Sequence, residues 1–397
     1  MRLAKRALQI SPSPTLAIDA QAKKMIAEGI NVLNFGVGEP DFDTPDYIKE
    51  AGIAAIKQGF TKYTPVAGTE DLRKAIAAKL KADNGLEYQL NEIVVSAGAK
   101  HSLYNAIQVL CDEGDEVILP APYWVSYIEQ IKLAGGIPKI IYAQEANGFK
   151  LTPEELDSAI TPRTRVLILN SPSNPTGTVY SRAELEALGR VIEAKEIYVI
   201  SDEIYEKLLY DGLEHVSIAS LSSRLKELAV VINGVSKAYA MTGWRIGYTA
   251  SQARIAKAMA DLQSHSTSNA TSIAQKASAV AITGNQEPLA RMLLQFEKRR
   301  DYMLERLQAM DGVTCTKPGG AFYLFPNISS FFGKSHRDKL IKDSSDLAEV
   351  LLDQANTAVV PGIAFGTSAN LRLSYATSLE SIKEGMDRIE KVLGEIC

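Results

Sequence analysis

The sequence predicts an α/β protein: a large domain on a mostly parallel sheet with helices on both faces, joined to a smaller α/β domain. Two observations carry this. The chain has 397 residues, more than one simple core accommodates, so two domains are expected. Through its middle, short apolar strands alternate with helical segments, the pattern of a parallel sheet covered on both sides.

The elements follow in order. Residues 71–82 (DLRKAIAAKLKA) have helical spacing, 92–98 (EIVVSAG) read as a buried strand ending in a glycine turn, and 99–110 as the next helix. A strand is expected at 115–120, a helix at 127–136, and strands at 137–143 and 165–172. Residues 181–196 form a helix opened by a Ser-x-x-Glu capping box, followed by strands at 197–203 and 229–234. The last part reads differently, with strand and turn at 312–329 and a strand at 371–376. Leu379, Ile382, Met386, Ile389, Leu393 and Ile396 then fall on one stripe of a terminal helix, and Thr377-x-x-Glu380 offers its cap. The expected division is a large domain over 46–284, with 1–45 and 285–397 forming the small one.

Composition excludes several functions. The 43 basic and 47 acidic residues give a net charge of −4, without the basic excess of a nucleic-acid groove. Three well-separated cysteines, Cys111, Cys315 and Cys397, suggest a reducing compartment and no disulfide framework. Neither Cys-x-x-Cys nor His-Glu-x-x-His is present, so no metal site is expected. The amino-terminal stretch lacks the apolar core of a secretion signal, and no apolar run approaches the ~20 residues of a membrane span. The expectation is a cytoplasmic protein.

Open α/β sheets bind ligands beyond the carboxyl ends of their strands. Four expected strands deliver polar residues there. Gly98, Ala99 and Lys100 stand at a helix start, where free N–H groups and the helix dipole favour a phosphate. Asn170 to Gly177 (NSPSNPTG) follows the second, Asp202-Glu203-Ile204-Tyr205 the third, and NGVSKAYAMTGWRIGY, with Lys237 and Arg245, the fourth. Singly these have ordinary explanations: a strand–helix turn, a Pro/Gly turn, a local cap, a solvated lysine. Together they supply an anion site, a carboxylate, an amide, a phenol and an amine, an inventory that fits pyridoxal 5'-phosphate chemistry.

SPSNPTG, SDEIYEKLLYDG and NGVSKAYAMTGWRIGY, in that order, resemble the class I aminotransferases of the fold-type-I pyridoxal-phosphate family. NFGVGEPDFDTP and ANLRLSYA extend the resemblance to nearly the whole chain. GEPDFDTP, APYWVSY and AMTGWRIGY make it most similar to the bacterial branch of aspartate aminotransferases. The resemblance implies a seven-stranded sheet in the large domain and a homodimer with shared active sites. It implies that Lys237 bonds covalently to the cofactor and carries the proton at the substrate Cα, which requires a depressed pKa. Asp202 would pair with the pyridine nitrogen, Asn174 and Tyr205 with the ring 3'-oxygen, and Trp124 would stack on the ring. Arg245, Ser236 and the 98–100 turn would hold the phosphate, joined by Tyr63 from the other subunit. Gly234 departs from relatives that carry serine there, so one phosphate hydroxyl contact is missing.

For the substrate, Arg372 would grip the α-carboxylate by a two-point fork, with Gly38 beside it on a closing segment. Animal-type relatives bind the second carboxylate with an arginine, but SHSTSNATS (264–272) has none; in the bacterial branch a lysine matching Lys100 serves instead. The implied reaction is amino transfer from L-aspartate to 2-oxoglutarate. Alternatives are a broader aminotransferase for aromatic amino acids, alanine or prephenate, and a lyase of the same fold. Prephenate-aminating relatives tend to carry lysine where this chain has Ser11, which favours plain aspartate activity. A regulatory protein with an aminotransferase-like domain would need an added DNA-binding domain, for which this length leaves no room.

Overall fold

The structure is a computed structural model that describes residues 3–12 and 14–397. Met1, Arg2 and Ser13, part of the amino-terminal stretch read for a leader, lie outside the described residues. Seven strands form the main sheet: β1 (Ile93–Ser96), β2 (Glu116–Ala121), β3 (Ile137–Tyr142), β4 (Thr164–Asn170), β5 (Tyr198–Asp202), β6 (Ala229–Gly234) and β7 (Gly247–Ala250). Their order across the sheet is β1-β7-β6-β5-β4-β2-β3. All pairings are parallel except those of β7, which runs antiparallel to both β1 and β6.

The apolar runs explain the placement. β1, β6 and β7 are buried along their whole length, as strands covered on both faces must be. The edge strand β3 has exposed ends at Ile137 and Tyr142. One core, with Leu72, Ile76, Leu167, Val199 and Val231, lies on one face, and another, with Leu103, Ile107, Val117, Ile168 and Ile232, on the other. The expected helices appear at Glu70–Asn84, Ala99–Leu110, Ser126–Leu133 and Arg182–Lys195, the last with its Ser181–Glu184 capping box formed.

A second core surrounds a three-stranded sheet of β8 (Tyr323–Leu324), β9 (Val360–Pro361) and β10 (Leu371–Ser374), in the order β9-β10-β8. Helix Glu287–Gln308 contributes Phe296, Met303 and Leu307 to it. The carboxyl-terminal helix Leu379–Gly394 buries Ile382, Met386, Ile389 and Leu393 as its periodicity predicts, while Ile396 lies beyond its end. Its cap is corrected: Ser378, not Thr377, has the extended backbone of a cap and accepts a hydrogen bond from the Ser381 N–H at 3.1 Å. Near the amino terminus, Leu33 and Asn34 pair in parallel with Thr357 and Ala358, and Phe35 packs into this second core.

Candidate active site

The carboxyl ends of β4, β5 and β6 face the three-stranded sheet across a cavity of about 570 Å³. Asp202 ends β5 at the cavity floor, paired in register with Asn170 on β4 and Ile232 on β6. Its carboxylate accepts a 2.7 Å hydrogen bond from the Tyr127 hydroxyl and a 3.2 Å bond from the Ile204 N–H. Burial pushes the Asp202 carboxyl up to about 6, with these two bonds opposing the rise. The Asn170 side chain closes the turn above, donating to the Asp202 carbonyl and accepting from the Asn174 N–H, both at 2.9 Å.

Lys237 follows β6 and Ser236. Its amine donates a 2.6 Å hydrogen bond to the Gly38 carbonyl and stands 5.8 Å from the Tyr205 ring centre and 5.7 Å from that of Phe322. Burial lowers its pKa to about 8; nearby Arg372 and Arg245 push the same way, and Glu39 and Asp202 oppose. A neutral amine is therefore accessible near neutral pH.

One end of the cavity is an anion cradle. Helix Ala99–Leu110 begins there, and no side chain caps it. Gly98 enters the helix at φ +89°, and a Cβ on it would stand 2.3 Å from the Arg245 Nη2. Gly247 is as constrained, because its Cβ would meet the Ala99 nitrogen at 2.2 Å. The two glycines let β7 and Arg245 pass directly under the helix start. Arg245, at φ +56°, is held by the Thr242 carbonyl at 2.9 Å and the Ala97 carbonyl at 3.4 Å. The Gly98 N–H donates to the Ser96 carbonyl at 2.8 Å and its carbonyl accepts from the His101 N–H at 2.9 Å, so this glycine contributes shape and leaves the amides of Ala99 and Lys100 to a ligand. The Lys100 ammonium lies 4.8 Å over the Trp124 ring, its pKa lowered by burial and then by Arg245. Among the described residues no carboxylate pairs with Arg245 or Lys100, which leaves two cations and an open helix end together, a fit for a phosphate dianion.

On the opposite wall, Arg372 of β10 is 2% exposed. It donates to the Gly36 carbonyl at 2.7 Å and the Asn174 Oδ1 at 3.1 Å, and lies over the Tyr323 and Phe365 rings at 4.5 and 5.0 Å. Its Nε is buried without a partner, and burial lowers its pKa. Its side chain borders the cavity and retains one unmatched donor, chemistry compatible with a carboxylate. The Tyr323 and Tyr205 hydroxyls share a 2.9 Å hydrogen bond.

Gly38, Ala99, Lys100, Trp124, Asn174, Asp202, Tyr205, Ser236, Lys237, Arg245 and Arg372 thus line one cavity. Gly98 stands behind its wall. Tyr63 lies away from it with 90% of its surface exposed. Sequence reasoning placed Asn170 at a strand end without giving it a role, missed Tyr127 and Tyr323, and missed Thr15, Asp19 and Lys23 of helix Pro14–Ala27, which line the mouth. Tyr127 lies three residues after Trp124, one helical turn away, which was a usable signal.

Glu203, Glu206 and His215 bring ligand-type atoms within 4.8 Å of one another. The two carboxylates are already partnered: Glu203 accepts from Ser201, Ser217 and His215 at 2.8, 2.6 and 2.9 Å, and Glu206 pairs with Lys79 and accepts from Asn84. The His215 Nδ1 is buried without a partner. The group is an ion-pair network behind the site.

Comparison with known proteins shows the family and the fold. The family model for aminotransferases of class I and II matches residues 30–389. The chain is 51% identical over 393 residues to the aspartate aminotransferase of Geobacillus stearothermophilus, covering 99% of each. It is 46% identical over 396 residues to the aspartate/prephenate aminotransferase of Nitrosomonas europaea, covering 99% of this chain and 100% of that one. The solved aspartate aminotransferase from Rhizobium meliloti superposes with a TM-score of 0.97 at 45% identity, over 100% of both chains.

Proposed function

We propose, from the premise that this chain belongs to the class I and II aminotransferases, that it is an aspartate aminotransferase working with pyridoxal 5'-phosphate. L-Aspartate and 2-oxoglutarate are converted to oxaloacetate and L-glutamate in two half-reactions. The observation that carries the reading is the meeting of Lys237, Asp202 and Arg372 in one cavity with an unneutralised anion cradle.

The residues divide the work. When bound, the cofactor supplies an aldehyde that bonds amines and a ring that draws electrons from the substrate Cα. The first-turn amides of Ala99 and Lys100, the Ser236 hydroxyl and the Arg245 guanidinium would hold its phosphate, and Trp124 would cover the ring. Asp202, buried and oriented by Tyr127, would pair with the ring nitrogen. Asn174 and Tyr205 would serve the ring 3'-oxygen. Lys237 would anchor the cofactor and, once displaced by the substrate amine, hold and move the proton at the substrate Cα, a role that its pKa of about 8 suits. Arg372 grips the α-carboxylate with Gly38 beside it, and Lys100 receives the side-chain carboxylate.

The same proposal extends to organisation. Residues 46–284 form the cofactor domain, with 1–45 and 285–397 as the small domain; the second core is built mostly from 292–393 but draws in Tyr205, Leu208 and Tyr210 of the large domain. The outward-facing Tyr63 suits a homodimer in which each copy completes the other's phosphate site. A cytoplasmic location agrees with three free cysteines and with the lack, among the described residues, of any helix long and apolar enough to cross a membrane. Amination of prephenate is the second reading, favoured by the name of the Nitrosomonas relative.

The test is a spectrum. Protein loaded with pyridoxal phosphate should be yellow, fade on L-aspartate alone and recover with 2-oxoglutarate. A yellow band that ignores aspartate would move the function to aromatic, alanine, prephenate or lyase chemistry. Protein that cannot be loaded would remove the Lys237 assignment.

A further inference from the structure

The 36–44 segment carries two carbonyls that hold the cations of the site: Gly36 accepts from Arg372 at 2.7 Å and Gly38 from Lys237 at 2.6 Å. The segment contains Gly36 and Gly38 and no regular secondary structure, so it has little stiffness of its own. Its position is set from outside. On one side it is tied to the 240–244 turn: Thr44 donates to the Ala240 carbonyl at 2.7 Å, Trp244 donates to Thr44 at 3.1 Å, and Thr242 donates to Glu39 at 2.7 Å.

On the other side it is tied to helix Glu287–Gln308. Arg299 donates to both oxygens of Asp41, at 2.7 and 3.0 Å, in a two-point fork. The Arg299 guanidinium also lies 4.9 Å over the Phe42 ring, and Phe42 meets Phe296 edge-on at 5.4 Å. Arg299 does not line the cavity; its side chain is 10% exposed and that of Asp41 29%, so the pair is partly shielded from solvent.

We infer that Arg299 is a positioning residue: its fork on Asp41 fixes the 36–44 segment so that the Gly36 carbonyl holds Arg372 in working geometry. Arg299 touches neither cation and acts only through the segment. Its kinetic consequence rests on the aminotransferase reading, whereas its structural consequence does not.

The experiment therefore has two arms. Hydrogen exchange by mass spectrometry on cofactor-free protein compares wild type with Arg299→Gln, Arg299→Lys and Asp41→Asn. Amides in 36–44 should exchange about tenfold faster in Arg299→Gln, with β4, β5 and β6 unchanged. Arg299→Lys, which keeps the charge and loses the fork, should fall between it and wild type. In loaded enzyme, KM for L-aspartate should rise about tenfold in Arg299→Gln with kcat within about threefold, because the loss falls on Arg372 orientation. The double variant should be no worse than Arg299→Gln alone. Unchanged exchange in 36–44 would overturn the proposal, as would additive losses in the double variant. Altered exchange with no aspartate activity even in wild type would leave the positioning role standing and overturn the assigned reaction instead.

Discussion

Tyr127 donates a 2.7 Å hydrogen bond to Asp202 from a phenol that is itself only 2% exposed. Among the described residues it is the only side-chain donor to that carboxylate, and it opposes the burial that raises the Asp202 pKa to about 6. In Tyr127→Phe that support is lost, so the carboxyl should rise further. In the proposed mechanism Asp202 works ionised, so activity should fall as pH drops through its pKa. The acidic limb of kcat/KM against pH should therefore move upward by about one pH unit, with little change at pH 8.5. A pH profile of the purified variant measures it.

Lys237→Met should remove amino transfer by about four orders of magnitude or more, since the same amine anchors the cofactor and moves the proton. It should also stabilise the cofactor-free protein at pH 7. The wild-type amine has a folded pKa of about 8 against an ordinary 10.5, so the unfolded chain binds more protons and burial costs stability below pH 8. The variant should gain on the order of 2 kcal/mol, discounted for the open cavity mouth. As pH rises from 8 to 10.5 wild type recovers, and the gap closes. Urea unfolding of both proteins at pH 7 and 10.5 gives the comparison.

Arg372→Lys keeps the charge and loses the planar fork. We expect kcat/KM for L-aspartate to fall by about two orders of magnitude, and by about three or more in Arg372→Ala. Steady-state kinetics at saturating 2-oxoglutarate measures both. A lysine variant within about threefold of wild type would mean that the α-carboxylate binds elsewhere.

Lys100→Gln separates the carboxylate roles. KM for L-aspartate should rise about tenfold, while KM for L-alanine, which lacks the second carboxylate, should stay within about twofold. Because Lys100 also borders the phosphate cradle, the dissociation constant of pyridoxal phosphate is measured in parallel. An equal loss for both substrates would remove Lys100 from dicarboxylate recognition.

The strand ends were the legible part. Each of β1, β4, β5 and β6 is a short apolar run with an abrupt polar boundary, and those boundaries put Ala99, Asn174, Asp202 and Lys237 in one cavity. β7 was not legible. Gly247-Tyr-Thr-Ala250 is four residues long, is buried throughout and follows a glycine-rich turn, so no periodicity marks it. Tyr127 and Tyr323 were hidden because a buried tyrosine on a helix or strand reads as core, and only the fold shows where its hydroxyl ends. Ser378 displaced Thr377 as the terminal cap because both residues have the required chemistry and backbone conformation alone decides.

Arg372 belongs to the three-stranded sheet and Asn174 to the chain leaving the seven-stranded one, yet their side chains meet at 3.1 Å. The side chain proposed to receive the substrate carboxylate is thus also a joint between the halves of the molecule built on the two sheets. By reciprocity, an anion seated there adds to the cohesion of the halves, and anything that loosens the halves weakens its grip. A dicarboxylate should act as a mortar that raises the unfolding temperature. A mild denaturant, below any unfolding, should act on the enzyme as a competitive inhibitor that never enters the site.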